Sequence, residues 1–390
     1  MISVEDALAR CLALASPLGP ETVALRAAAG RVLAAPVQAR LTQPPFAASA
    51  MDGYALGRSA RAGDRFAVIG TASAGHAFAG TLAPDQAARI FTGAPLPEGA
   101  VSVALQEDVT ALGFDITLNT AANTGDHIRA RGQDFAAGAA FAPRHRLTPN
   151  DIALLAAMNL AEIEVIRRPV VAIIATGDEL VMPGEHPRAD QIVASNNFAL
   201  AAMIEAAGGE ARLLPIARDT EADLRQVFSL AAGADLIVTI GGASVGDHDL
   251  VGRVAADLGM DRAFWQIAMR PGKPLMAGRL LDVPMLGLPG NPVSAIVCGH
   301  IFVLPVIGAM LGLPPAALTR HARLSGAVPA NGNRAHYMRA RLSADRGLIT
   351  PHANQDSALL SVLCQSDALL IRPANDPAQA AGNLVEYLPL

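Results

Sequence analysis

From residue 168 to about 315 the chain alternates short, nearly unbroken apolar runs with longer amphipathic stretches. The runs at 169–176 (PVVAIIAT), 211–217, 235–240 (DLIVTI) and 284–288 are too short for core helices. Most of them also lack the polar residue at every second place that marks a strand with one wet face, so they predict strands covered on both sides. Helical spacing begins near Asn196, Thr220, Asp247 and Pro292. Strand and helix in this order predict a doubly wound, mostly parallel sheet, because parallel neighbours need a crossover between them. The flanks differ. Residues 41 to 134 hold short β-type runs (RFAVIG, ARIFTG, VSVALQEDV) broken by Gly and Pro, which predict a small β-rich domain. Beyond residue 315, HARLSGAV, HYMRARL, DALLIRP and LVEYLPL are separated by turn-forming clusters and predict a second one.

Two apolar segments test for export or membrane insertion. The N-terminal MISVEDALARCLALA carries Glu5 and Asp6 ahead of its apolar residues and reads as an amphipathic helix instead of a signal peptide. The run 293–313 is apolar enough to raise a membrane span, but Asn291-Pro292 opens it as a cap and first-turn proline. It also follows a strand-like VPMLGLP. A helix buried against the sheet, or a subunit contact, is the expectation.

Composition narrows the function classes. At 390 residues several domains are expected. Charged residues make up 17% and the net charge is only -5, with one tryptophan and three tyrosines, so the basic surplus and stacking aromatics of a nucleic-acid binder are missing. Cys11, Cys298 and Cys364 are far apart and in no CxxC spacing, which argues against a disulfide framework or zinc site and fits a reducing cytoplasm. The nine histidines include no HExxH.

Of thirty basic residues one is a lysine, Lys273, in the run Met269-Arg270-Pro271-Gly272-Lys273-Pro274. Chance survival is one explanation. The other is a need for a compact point charge where the planar arginine fork would not serve, as at a small oxyanion or terminal phosphate. Four loops at the carboxyl ends of the predicted strands, where open α/β sheets bind ligands, give this weight: TGDEL (176–180), RDT (218–220), GGASVGDHD (241–249) and LPGNP (288–292). The glycine loop lets backbone N–H groups approach a phosphate, although an ordinary strand-to-helix turn would look the same. It is not the GxGxxG dinucleotide fingerprint. Glu179, Asp219 and Asp249 on three of these loops could share a hard cation such as Mg2+. Each alone serves equally well as a helix cap, and only their joint position argues for a metal. Turns rich in glycine, SAMDGYA, TGAPLP and RARGQD, stand out in the small β-rich domain.

Taken together and in this order, SAMDGYA, TGAPLPEGA, RARGQD, TGDEL, GGASVGDHD, RPGKP and LPGNPVSA closely resemble the MoeA-type molybdopterin molybdenumtransferases, the family that includes the gephyrin E domain. The related adenylyltransferases and competence-damage-inducible amidohydrolases share the sheet domain alone. The resemblance implies a multidomain α/β protein: a molybdopterin-binding α/β domain (1–19 plus 169–318), an elongated connecting and dimerisation domain (20–40 plus 139–168), a small β-rich domain (41–138) and a C-terminal β domain (319–390). It further implies an L-shaped homodimer with a shared active site. The implied reaction takes adenylylated molybdopterin, breaks its link to AMP and inserts molybdate, assisted by Mg2+. The adenylyltransferase and molybdoenzyme chaperones are implied as further partners, with no nucleic acid and no membrane.

Carried over residue by residue, Glu179, Asp219 and Asp249 would surround magnesium and the pyrophosphate. Gly241, Gly242 and Ser244 would cradle phosphate, with Pro289 and Pro292 beside them. Arg270 and Lys273 would hold molybdate, while Asp52, Thr92, Arg129 and Asp134 would reach in from the partner subunit. Gln355-Asp356-Ser357 and Ser361 resemble a glutamine-glycine-serine stretch of the family, with Asp356 in place of the glycine. Gln266 stands where some members have lysine, and Arg270 where lysine is also common. Alternative readings are adenylylation of molybdopterin, the preceding step, and a cofactor-binding scaffold without turnover.

Overall fold

The computed structural model describes residues 1–242, 250–315 and 319–390. The chain folds into two compact units. One comprises Met1–Glu21, Gly30–Ala34 and Val165–Leu390, the other Thr22–Ala29 and Ala35–Glu164.

The first unit holds a six-stranded sheet of β1 (Val170–Ala175), β2 (Glu210–Leu213), β3 (Leu236–Ile240), β4 (Asp261–Trp265), β5 (Met276–Leu280) and β6 (Val283–Leu288), in the spatial order β2-β1-β3-β6-β5-β4. The first four in space run parallel. Strands β5 and β4 continue the sheet in antiparallel pairings. The four apolar runs thus become β1, β2, β3 and β6, as the pattern predicts. The other two strands lack that signal: β4 is DRAFW, and the β5–β6 hairpin turns on Leu281 and Asp282, both at positive φ, where glycine or asparagine is the usual marker.

Burial on both faces explains the unbroken runs. Val171 and Ile173 pack with α1 (Val4–Leu14), α2 (Asn196–Ala206) and the segment from Pro292. Their neighbours Ala172 and Ile174 point the other way, against α3 (Glu221–Leu230) and α4 (Leu250–Asp257). Each valine or isoleucine buried in this way contributes about 1.5–3 kcal/mol. The apolar run after β6 forms α5 (Pro292–Cys298), a π-helical turn (Gly299–Val303) and α6 (Leu304–Met310). Among the described residues this is the one helix long and apolar enough to cross a membrane, and 67% of its apolar window is buried in the protein.

In the same unit Arg320–Leu324, Ala335–Leu342, Leu348–Pro351, Ala368–Arg372 and Leu384–Pro389 pair in a closed ring, a small barrel around Leu324, Ile349 and Leu370. A two-residue strand, Met269–Arg270, adds to it in parallel, with Met269 opposite Ala335 and Arg270 opposite His336. The second unit contains a six-stranded sheet in the order Ser102–Leu105, Gly53–Leu56, Gln86–Ile90, Arg65–Ala72, Asp115–Leu118, Val109–Leu112. The glycine of SAMDGYA is required there by packing: a Cβ on Gly53 would lie 1.8 Å from the Ala104 carbonyl oxygen.

The sheet is clamped at its N-terminal edge. Arg167 donates to both carboxylate oxygens of Asp235, at 2.6 and 2.5 Å, and the Val170 amide donates to Asp235 Oδ2 at 2.9 Å, so one side chain joins the starts of β1 and β3. Burial alone would raise the Asp235 pKa. Arg167 and the amide outweigh it and hold the carboxyl below its ordinary 3.8. A depressed carboxyl stabilises above that ordinary value and the contribution is lost as pH falls below it. Asp235→Asn is therefore expected to cost about 3 kcal/mol in urea unfolding at neutral pH, and to flatten the loss of stability that the parent shows below about pH 4.

Candidate active site

The carboxyl ends of β1, β3 and β6 stop at one level. The Thr176 amide still donates to Ile240 O at 3.0 Å and the Gly241 amide to Leu288 O at 3.1 Å, so the loops part only beyond these residues. Gly241 has φ 90°, and a Cβ there would lie 2.8 Å from Thr176 O, while Gly290 sits close against Gly241. Backbone packs on backbone, and the loops open onto a cavity of about 490 Å³. Glu179, Asp219, Gly241, Gly242, Pro289 and Pro292, six of the predicted site residues, line it together. Leu180, Ile192 and Val193 form an apolar wall, two of them paired as Leu180 opposite Ile192.

Two neighbouring residues organise the acidic wall. The Arg218 guanidinium donates to the carbonyls of Gly177, Asp178 and Leu180 at 3.4, 3.1 and 3.1 Å, so its charge serves the loop. Asp178 accepts from the Asp219 amide at 3.2 Å. That leaves Glu179 and Asp219 as exposed carboxylates whose side chains have no protein partner among the described residues. Glu179 folds back over Gly177, where an added Cβ would lie 2.3 Å from its Oε2. Two carboxylates among carbonyl oxygens, without nitrogen or sulfur donors, fit Mg2+, which takes one or two carboxylates and completes its shell with water and substrate phosphate. Among the described residues no three His, Cys, Asp or Glu side chains gather as a self-sufficient metal cage. Asp249 and Ser244, also predicted for this site, lie outside the described residues.

Arg270 and Lys273 line a second, adjoining cavity of about 660 Å³ together with Ser294, Arg334, His336 and Ser357. Pro274, Pro289 and Asn291 belong to both cavities and form the wall between them. Of the residues predicted as one catalytic set, Glu179 and Asp219 thus stand on one side of this wall, and Arg270 and Lys273 on the other. Among the described residues, Arg270, Lys273 and Arg334 have no carboxylate partner. Ser357 is anchored to the start of α5: Asn291 Nδ2 donates to its Oγ at 3.1 Å and the Val293 amide to its carbonyl at 3.1 Å. Behind it the loop 352–359 is braced by Arg339, 1% exposed, which donates to Leu359 O and Asn354 O at 3.2 and 3.4 Å. Gln355 bonds the Arg339 backbone in both directions at 2.9 Å. Burial, reinforced by Arg270, Arg372, Arg339 and Arg334, lowers the His336 pKa to about 4. Gln266 lines neither cavity; its amide donates to Leu275 O at 2.9 Å.

The remaining predicted residues lie in the second unit. Asp52 Oδ1 accepts from the Thr92 amide at 2.7 Å and its hydroxyl at 2.8 Å, and these bonds lower the Asp52 pKa. Arg129 ends the short strand opposite Ala48, and the Asp134 amide donates to Gln43 O at 3.1 Å. Residues missed by sequence reasoning include Asn196, which lines the first cavity and donates to Gly290 O at 2.7 Å, and Ser294, Arg334 and His336 in the second. In the sequence Ser294 is no more than a polar residue inside an apolar run. Arg334 and His336 come from the barrel, distant in sequence, and nothing local marks them.

Comparison with known proteins gives three matches that tile the chain: the MoeA N-terminal region (domain I and II) over residues 2–159, a probable molybdopterin binding domain over 172–309, and the MoeA C-terminal region (domain IV) over 321–390. A molybdopterin molybdenumtransferase from Nostoc sp. is 36% identical over 388 residues, covering 95% of this chain and 89% of its own. One from Bacillus subtilis is 32% identical, covering 99% and 94%. The crystal structure of the molybdopterin biosynthesis MoeA protein from Pyrococcus horikoshii OT3 superposes with a TM-score of 0.86 at 25% identity, over 100% of both chains.

The turn carrying Lys273 separates fold from chemistry. Gly272 has φ 112°, and a Cβ there would meet Cys298 Sγ at 2.6 Å. Gly272→Ala is expected to lower stability by about 2–4 kcal/mol in urea unfolding, whereas Lys273→Met, with no protein partner to lose, should stay within about 1 kcal/mol of the parent.

Proposed function

The chain belongs to the MoeA family, and we propose that its two adjoining cavities divide the work of a molybdopterin molybdenumtransferase, one holding the phosphates of adenylylated molybdopterin and the other the molybdate. The enzyme inserts molybdenum into molybdopterin, the activity for which its full-length relatives are named. The observation that carries the finer reading is the common wall of Pro274, Pro289 and Asn291 between an acid-lined and a cation-lined cavity. A substrate whose pyrophosphate lies against the first cavity can present its dithiolate to an oxyanion in the second without leaving either.

In the first cavity, Gly241 and Gly242 let the phosphate approach the backbone, and Leu180, Ile192 and Val193 offer an apolar wall to a flat ring. Glu179 and Asp219 would hold Mg2+, which when bound neutralises phosphate charge and favours departure of AMP. In the second cavity, Arg270, Lys273 and Arg334 supply fixed positive charge for a tetrahedral dianion, and Ser294 and Ser357 supply hydroxyl donors. Because these cations have no carboxylate partner among the described residues, no internal ion pair has to break when the oxyanion binds. We further propose that Asp52, Thr92, Arg129 and Asp134 complete the site from a second copy in a homodimer. Three free cysteines fit a cytoplasmic location.

Incubation with adenylylated molybdopterin, molybdate and magnesium should release AMP, and removal of magnesium with a chelator should stop it. Absence of release, or consumption of ATP in its place, would overturn the reading in favour of a scaffold or an adenylyltransferase. Glu179→Gln and Asp219→Asn are each expected to lower turnover about 100-fold or more while substrate still binds. Lys273→Arg should raise the molybdate KM about tenfold with a smaller change in kcat.

A further inference from the structure

One side chain of the second cavity has no role in the account above. His336 lines that cavity, is 8% exposed, and among the described residues its ring makes no hydrogen bond to the protein. Its place is set by two strand pairings, parallel to Arg270 on one side and antiparallel to Arg372 on the other. Its own segment adds Arg334 and Arg339, and the turn after Arg270 adds Lys273. Two carboxylates belong to the surroundings: Asp376 is paired with Arg372, and Asp356, on the cavity wall, acts on Arg339. An imidazole buried among guanidinium groups is uncharged near neutral pH, and burial together with their fields brings it to about 4.

Resting on the reading of this cavity as the oxyanion site, we propose that His336 is a proton-coupled ligand: when a tetrahedral dianion enters, the ring takes one proton from solvent and donates an N–H to an anion oxygen. The dianion reverses both causes of the uncharged state. It offsets the field of the neighbouring cations, and it offers an acceptor to a ring nitrogen that has none in the protein. Arginine and lysine cannot respond in this way because they are already charged. The gain grows with the charge on the ligand, so the device favours doubly over singly charged anions. It is local to the cavity and needs no movement of the strands.

The test is calorimetric titration of the full chain with sodium molybdate from about pH 7.5 to about pH 5.5, in two buffers of different ionisation enthalpy, for the parent and His336→Gln. If the bound dianion restores the ring to its ordinary 6.5, parent affinity rises about tenfold across this range, and proton uptake grows from near zero to about one per molybdate. His336→Gln should bind with a flat profile and no such uptake. An equal pH dependence in His336→Gln, or pH-independent binding without uptake by the parent, overturns the role of His336 and leaves the cavity assignment standing. Failure of the parent to bind molybdate at any pH overturns the cavity assignment and the proposal with it. A thermal melt checks that His336→Gln is folded; proton uptake by the parent decides the matter if it is not.

Discussion

The architecture of the site depends on a ladder two residues long. By pairing Met269–Arg270 with Ala335–His336, the protein ties the loop after β4 to the barrel formed by its last seventy residues or so. Without that pairing, Arg270 and Lys273 would project from a surface turn, and Arg334, His336 and Ser357 would belong to a separate module. With it, residues more than sixty positions apart face one cavity. Such a short ladder contributes little on its own. It holds because neighbouring contacts repeat it: the Ala335 amide reaches Ala268 O at 2.9 Å, and the Val293 amide reaches Ser357 O at 3.1 Å.

The second organising feature is charge kept apart. Glu179 and Asp219 stand on one side of a wall made of two prolines and an asparagine, and Arg270, Lys273 and Arg334 stand on the other, where Asp356 is, among the described residues, the one carboxylate lining their cavity. Proline is suited to that place, since it has a fixed φ and no N–H that would need a partner. The cations left unpaired carry a cost that folding elsewhere must offset, and the Arg167–Asp235 clamp at the opposite edge of the sheet shows how the same residue types behave when stability is the purpose: bidentate, partly buried, with the carboxyl also bonded to an amide.

The sheet was readable because its strands are buried on both faces, which removes polar residues from them and leaves a continuous apolar signal. Strand β4 and the barrel have one wetter face and mixed composition, so their boundaries were not. The Leu281-Asp282 turn uses left-handed backbone with a leucine in its first position and no glycine to advertise it. Motif spacing led to Glu179, Asp219 and the glycines because a strand end dictates where such groups stand. It could not show that Lys273 faces a different cavity from the carboxylates, nor find Arg334 and His336, since those depend on how the barrel docks on the sheet domain. Asp178 and Arg218, which look as acidic and basic as their neighbours, are occupied with the loop backbone. Sequence gives residue type, and only packing shows which charges are already in use.

The solitary lysine has a practical corollary. Apart from the N-terminus, Lys273 Nζ is the one primary amine in 390 residues, and it lies on the wall of the cation-lined cavity. An amine-selective reagent therefore meets two targets, one at the chain terminus and one in the cavity. The protein carries a built-in attachment point, and a label there would report on occupancy of the cavity without any residue being engineered.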